Sequence, residues 1–251
     1  MSGIVLITGA SAGLGAEFAR QLSRRGQRLV LAARRKDRLD ALAAEVGNAR
    51  TVEIDLSGPG AAARLVEDVE AAGETIDTLI NNAGFGLRGK FVDLDASRER
   101  EMIDLNCGAL TDLCRAVVPG MIERKRGAIL NVASTAAFQP GPKMAVYFAT
   151  KAYVLSFTEA LHEELKPHGI KVSALCPGPT RTEFGDVAGI ASLGSFERLS
   201  MDAGPVVRAG IEGLDTNRAV IIPGASNKVG AWSTRFAPRS VVRKIAGSLK
   251  F

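Results

Sequence analysis

Between an apolar run and a segment of helical periodicity, the chain carries TGASAGLG at residues 8–15. Gly9, Gly13 and Gly15 let the backbone turn sharply and approach a ligand closely. The helix that follows offers unpaired N–H groups and the positive end of its dipole to an anion such as a pyrophosphate. A strand entering such a turn and a helix leaving it form the first half of a βαβ unit, and the rest of the chain keeps that rhythm. Strand-like segments fall at 3–9, 27–34, 50–56, within 75–84, and at 127–134, 170–178 and 219–224. Helical segments fall at 15–26, 36–47, 58–73, about 94–126, and 145–169. This alternation predicts a single α/β domain. Its parallel sheet of about seven strands is doubly wound, with helices on both faces.

The 251 residues suffice for one well-buried domain, and 46% hydrophobic with 24% charged residues is ordinary for a globular chain. No apolar run reaches the roughly 18–20 residues of a membrane span, and MSGIVLITGAS lacks the basic start and cleavage site of a signal peptide. The three cysteines, Cys107, Cys114 and Cys176, have no paired spacing and read as buried, reduced thiols. A cytoplasmic setting and the absence of a metal site are therefore expected. His162 and His168 read as structural.

The net charge of +5 is localised. The last acid is Asp215, and seven basic residues follow it, from Arg218 to Lys250. Without them the chain has 25 basic against 27 acidic residues, which argues against a nucleic-acid-binding face. The expected organisation is a catalytic domain over 1–224, with a substrate lid at about 183–215, and a basic extension over 225–251.

Tyr147 and Lys151 lie four residues apart on a predicted helix. They share a face, whereas Tyr153 sits roughly 240° around from Tyr147. A phenol with an ordinary pKa near ~10 is a poor acid–base group at neutral pH, and a neighbouring ammonium is expected to lower it. Ser134, just after a strand, is placed to hydrogen-bond a carbonyl oxygen while Tyr147 moves the proton. Each of these residues alone has an ordinary reading: Tyr147 and Lys151 a solvated helix face, Ser134 a cap or turn residue, and Asn106, in IDLNCGAL, a local hydrogen bonder.

Together they are more specific. The glycines follow Gly-x3-Gly-x-Gly rather than the Gly-x-Gly-x-x-Gly of most dinucleotide folds. NNAG stands at 81–84, PGPTRT at 177–182, and Asn106, Ser134, Tyr147 and Lys151 follow one another in that order. Over residues 3–224 the chain resembles the short-chain dehydrogenase/reductase family, whose fold is Rossmann-type. The resemblance implies a catalytic set of Asn106, Ser134, Tyr147 and Lys151, with Asn106 holding a water that links Lys151 to solvent. It implies a cofactor site on Gly9, Ser11, Gly13, Leu14, Gly15, Arg34, Arg35, Asp55, Leu56, Asn82, Ala83 and Gly84. That site continues through Tyr147, Lys151, Pro177, Gly178 and Thr182, with Asp55 at the adenine and Thr182 at the carboxamide.

Cofactor choice has a physical basis as well. The position where an acid grips the ribose hydroxyls in NAD-specific proteins is Ala33, and Arg34, Arg35 and Lys36 follow. Guanidinium groups grip a 2′-phosphate, so NADP(H) is expected, with Arg34 the main contact and Arg35 second. These arginines could instead merely solvate a helix start.

The expected function is an NADP(H)-dependent oxidoreductase. It transfers a hydride between nicotinamide and a carbonyl or secondary alcohol, on an apolar substrate. Alternatives are a 3-oxoacyl thioester reductase and a non-catalytic NADP-binding regulatory protein. Expected pocket walls are 85–91, 135–144 and 183–201, the last with Val187, Ile190, Leu193, Phe196, Leu199 and Met201. Arg88, Lys90 and Lys143 are ordinary surface charges or, alternatively, ligands for an acidic substrate group. The tail, with Trp232, Phe236, Val241, Val242 and Ile245, either packs on the body or a neighbouring subunit, or lies on an anionic membrane. The resemblance further implies a homodimer or homotetramer paired through the helix at 145–166.

Overall fold

The computed structural model describes residues 3–190 and 199–248. Its strands are β1 (Ile4–Thr8), β2 (Arg28–Ala33), β3 (Ala49–Glu53), β4 (Ile76–Asn81), β5 (Gly127–Val132), β6 (Ile170–Leu175) and β7 (Val220–Ile221). All pairs are parallel, in the order β3-β2-β1-β4-β5-β6-β7. The expected doubly wound seven-stranded sheet is therefore present. Its strand order reverses between β1 and β4, the switch point where open parallel sheets bind ligands.

A sheet covered on both faces needs strands that are apolar on both faces. All five residues of β1, IVLIT, are buried. Val5, Ile7, Leu29, Leu31, Leu130 and Leu175 share one core with α1 (Gly13–Arg24), α2 (Lys36–Val46) and α8 (Ala203–Asp215). Ile4, Leu6, Val30, Leu79, Ile129 and Val172 share the other with α3 (Ala61–Ala71), α5 (Leu110–Arg124) and α6 (Ala145–Leu165). The two-residue period of a strand produces this division.

Several boundaries differ from the sequence reading. The helix expected from 58 starts at Ala61, because Gly60 before it is left-handed at φ +69° and Pro59 lies outside the helix. Helix α6 ends at Leu165 in a 3-10 turn, Lys166–His168, closed by the left-handed Gly169. The long stretch after Leu94 is α4 (Ala96–Ile103), a wide π turn (Asp104–Ala109) and then α5. The lid expected over 183–215 does not extend that far. From Ala203 onward the chain is α8, whose Val206 and Val207 are fully buried in a core cluster with Phe18 and Leu175. A helix with that apolar stripe belongs to the core.

Before α8 lies the short helix α7 (Phe184–Val187). After β7 come α9 (Ala225–Phe236) and α10 (Arg239–Ser248), which bury Ala231, Val242 and Ala246. Among the described residues no helix is long and apolar enough to cross a membrane.

Candidate active site

A cleft of about 480 Å³ opens at the carboxyl ends of the central strands. Its floor is the glycine turn. Gly9 is left-handed at φ +63°, and a Cβ on Gly15 would lie 2.3 Å from the Gly9 carbonyl oxygen, so only glycine fits there. The NNAG segment holds this turn. Asn82 Nδ2 donates to the carbonyls of Thr8 (3.0 Å) and Gly9 (3.2 Å), and Thr8 Oγ1 accepts from the Asn82 and Ala83 N–H groups. The residue before α1 is Ala12, which supplies no side-chain cap. The first N–H groups of α1 are thus left to a ligand or water.

At the β2 end of the cleft the charges stay wet. Arg34 faces Glu101 at 3.2 Å and Asp55 at 3.7 Å. Arg35 turns inward: its Nε and Nη2 both reach Ser11 Oγ at 3.2 Å, and its Nη1 pairs with Glu183 at 3.0 Å. The sequence ranks Arg34 first, but Arg35 is the arginine that touches the glycine turn. Asp55 lies two residues past β3, which is shorter than expected. Burial pushes its carboxyl up, but hydrogen bonds from Ser57 and the charge of Arg34 leave it below the usual value. Leu14, Leu56 and Ala83 line the same end.

At the β5 end the charges are dry. Tyr147 and Lys151 are 8% and 6% exposed. Lys151 Nζ donates to the Val132 carbonyl at 2.8 Å and sits 5.9 Å from the centre of the Tyr147 ring. Burial lowers the ammonium from 10.5 to about 8. Burial also pushes the Tyr147 phenol from 10 up to about 12, opposed by a hydrogen bond with Ser134. The expected lowering of the phenol by Lys151 is not found: desolvation is the largest effect, and what opposes it is the Ser134 hydrogen bond. Ser134 Oγ accepts from the Ala136 N–H at 3.1 Å and donates to the Pro177 carbonyl at 3.4 Å. The same serine caps the short 3-10 turn Thr135–Phe138.

Asn106 sits in the π turn, 1% exposed. Its Nδ2 donates to the Phe85 carbonyl at 2.9 Å and to Thr150 Oγ1 at 3.1 Å, and its Oδ1 accepts from the Phe85 N–H at 3.1 Å. The loop after β4, the π turn and α6 are thereby locked together behind Lys151. Gly84 belongs to this lock, since a Cβ there would come within 2.8 Å of Asn106 Oδ1. Pro177, Gly178 and Thr182 line the cleft, and Thr182 packs against Gly13. The cleft thus brings together every site residue expected from the sequence except Gly15 and Asn106, which lie just behind its surface.

The walls near Tyr147 are apolar. Phe85, Met144, Phe148, Phe184, Val187 and Ile190 line them, and the Phe184 ring lies 5.4 Å from that of Tyr147. Of the expected wall residues, Leu199 is 64% exposed, and Met201, bridged to the lining residue Thr180, does not itself line the cleft. Leu193 and Phe196 fall outside the described residues. Arg88, Lys90 and Lys143 do not line the cleft. Cys107, expected to be buried, is half-exposed, and burial raises its thiol to about 11.

Sequence reasoning missed Glu183, Arg38 and Thr150. Glu183 bridges Arg35 and Arg38, a pairing across 145 residues that no local pattern announces. Thr150 alone had a signal, since it directly precedes Lys151 on the helix.

The short chain dehydrogenase family profile matches residues 3–189. The chain is 36% identical to a short-chain dehydrogenase from Sphingobium yanoikuyae solved in complex with NADPH, covering 99% of this chain and 97% of that one at a TM-score of 0.83. It is 32% identical to the bulky-bulky ketone specific alcohol dehydrogenase from Comamonas testosteroni, over 99% and 95% of the two chains, TM-score 0.79. It is also 36% identical over 211 residues to sulfoacetaldehyde reductase 2 of Chromohalobacter salexigens, covering 82% of this chain and 84% of that protein.

Proposed function

This chain belongs to the short-chain dehydrogenase family, and we propose that within it the protein reduces bulky apolar ketones. It is an NADP(H)-dependent oxidoreductase of carbonyl and alcohol groups. The residues present fit that cofactor. The glycine turn leaves a cradle that any Cβ would fill, α1 presents uncapped N–H groups, and Arg35 with Ser11 forms a donor cluster for a 2′-phosphate.

When bound, the dihydronicotinamide supplies a hydride to the carbonyl carbon. Tyr147 holds the proton that the resulting alkoxide takes. Burial keeps the phenol neutral, which suits a proton donor, and an alkoxide is far more basic than a phenolate. Lys151 places its charge beside the phenolate left behind and is held by the Val132 carbonyl. Ser134 presents its hydroxyl to the carbonyl oxygen. Asn106 fixes the backbone of Phe85 and, through Thr150, the helix turn carrying Lys151.

One observation carries the substrate assignment. The described wall around Tyr147 is mainly aromatic and aliphatic, and among the described lining residues Lys151 is the cation at that end. Such a wall favours burying apolar surface at about 25 cal/mol per Å² over pairing a substrate anion. NADPH oxidation across a carbonyl panel tests it. Aryl alkyl and long dialkyl ketones should give the highest kcat/KM. Preferred turnover of sulfoacetaldehyde or of 3-oxoacyl thioesters would overturn the assignment.

The same reading extends to partners. Helix α6 presents Ala149, Ala152, Ser156 and Ala160 outward beside the stacked Tyr153–Phe157 pair, a flat face that suits a second copy across a two-fold axis. Light scattering should find a dimer or larger, and a monomer at micromolar concentration would exclude the pairing. On α9, Val229, Trp232 and Phe236 recur at spacings of three and four and are 70%, 63% and 81% exposed. Lys228, Arg235, Arg239, Arg243 and Lys244 accompany this stripe, and residues 225–248 contain no acid. That charge suits an anionic lipid surface better than a second basic tail. Co-sedimentation with phosphatidylserine vesicles should require the stripe, and Trp232→Ser with Phe236→Ser should abolish it. Equal binding to neutral vesicles, or none, would remove the lipid assignment.

A further inference from the structure

The cation cluster at the β2 end already holds an anion of the protein's own. Glu183 reaches it from the start of the 183–190 segment, whose Phe184, Val187 and Ile190 wall the substrate side. Its Oε2 lies 3.0 Å from Arg35 Nη1 and its Oε1 lies 2.5 Å from Arg38 Nη1. Arg35 simultaneously donates twice to Ser11 of the glycine turn. The Arg35 and Arg38 pairs hold the Glu183 carboxyl below its usual value. All three side chains are 44–46% exposed, so the pairs are wet and exchangeable.

We propose that Glu183 is the resident surrogate for the cofactor's 2′-phosphate. On cofactor binding, carboxylate and phosphate exchange on Arg35 and Arg38, and the 183–190 wall is released. This rests on the NADP(H) reading and adds a specificity-determining residue to it. A phosphate carries more charge and more acceptor oxygens than a carboxylate, so it wins the guanidinium groups. Glu183 keeps the two arginines gathered when no phosphate is present, and it taxes every ligand that needs them. A cofactor lacking the 2′-phosphate pays no such tax and leaves the wall tethered. The consequence is a coupling between the adenosine end of the cleft and the substrate wall, carried by the Glu183 side chain and the 183–190 backbone that bears the wall.

The test compares binding of 2′,5′-ADP and 5′-AMP by calorimetry in the wild type and in Glu183→Gln. Neither ligand depends on turnover. The variant should bind 2′,5′-ADP about five-fold more tightly, the scale of one exposed ion pair, with 5′-AMP unchanged. Hydrogen exchange of 183–190 should rise in the wild type on adding 2′,5′-ADP, but should start high in the variant and stay there. Unchanged or weaker 2′,5′-ADP binding by Glu183→Gln overturns the surrogate role, because Glu183 would then be holding the arginines in place for the phosphate. A wild type that binds both nucleotides equally removes the NADP(H) reading and this inference together. A wild type that prefers 2′,5′-ADP without the variant's gain removes the inference alone.

Discussion

The two ends of the cleft use charge in opposite ways. At the β2 end, Arg34, Arg35, Asp55 and Glu183 have side chains 44–56% exposed and are paired with one another. At the β5 end, Tyr147 and Lys151 are buried, and Lys151 has a backbone carbonyl rather than a carboxylate as its partner. Wet, mutually paired charges can be exchanged for a ligand at little cost, which is what binding needs. Dry charges without a counterion stay costly until the reaction supplies one, which is what proton transfer needs. A single cleft thus holds a wet end and a dry end, and the proposed division between recognition and chemistry follows that difference.

The largest test of that contrast is Tyr147→Phe. It removes one hydroxyl from the dry end and should lower kcat by at least about 10³-fold while leaving NADPH affinity within about two-fold. Pre-steady-state turnover and cofactor fluorescence measure the two separately. Retained activity would mean the dry end is not where protons move.

Lys151→Met comes next and should lower kcat by on the order of 10²-fold. It should also stabilise the fold, since it replaces a buried charge with an apolar chain of similar length. The pH dependence is fixed by the shift from 10.5 to about 8. Below about 8 both folded and unfolded chains hold the proton, and the full cost of burial is present. From there to 10.5 the unfolded chain binds more protons, so wild-type stability rises with pH relative to the variant. The gap should be on the order of 1–3 kcal/mol at pH 7 and shrink by pH 9.5, read from urea unfolding. Tyr147 acts in the opposite sense, and only above its usual value of 10, where the folded phenol keeps a proton that the unfolded one loses.

What the sequence revealed follows the same divide. The glycine turn, NNAG and Tyr147/Lys151 were legible because each is a local pattern. A turn requires left-handed residues in order, and a helix puts positions four apart on one face. The direction of the Tyr147 shift was not legible, because it depends on burial in a cluster with Phe85, Met144 and Phe184, which come together only in the tertiary fold. Helix α8 falls inside the lid expected at about 183–215 because no local pattern separates it from the wall segment, whereas the clustering of Val206, Val207 and Ile211 with Phe18 of α1 makes it core. The seven strands were legible from apolar runs bounded by Gly, Pro or charge. Their ends were not: Asp55 lies beyond β3 because pairing with β2 stops at Glu53.

The smallest effects belong to the wet end, and there the two arginines should separate. Arg35→Ala removes the guanidinium that touches Ser11, so the preference for NADPH over NADH should fall about 10-fold or more. Arg34→Ala removes one that faces Glu101 and Asp55, and the loss should be about two- to three-fold. The sequence alone ranks them the other way, with the first arginine after β2 as the main contact. The expected reversal rests on Glu101, on α4, which pairs with Arg34, while Glu183 and Ser11 hold Arg35 against the glycine turn. Cofactor titrations of both variants, and of Glu101→Gln, measure it. If freeing Arg34 from Glu101 raises NADPH affinity, the rim pairing is what demotes it. If Arg34→Ala costs more than Arg35→Ala, the wet end rearranges on binding, and its ion pairs in the free protein do not rank its contacts.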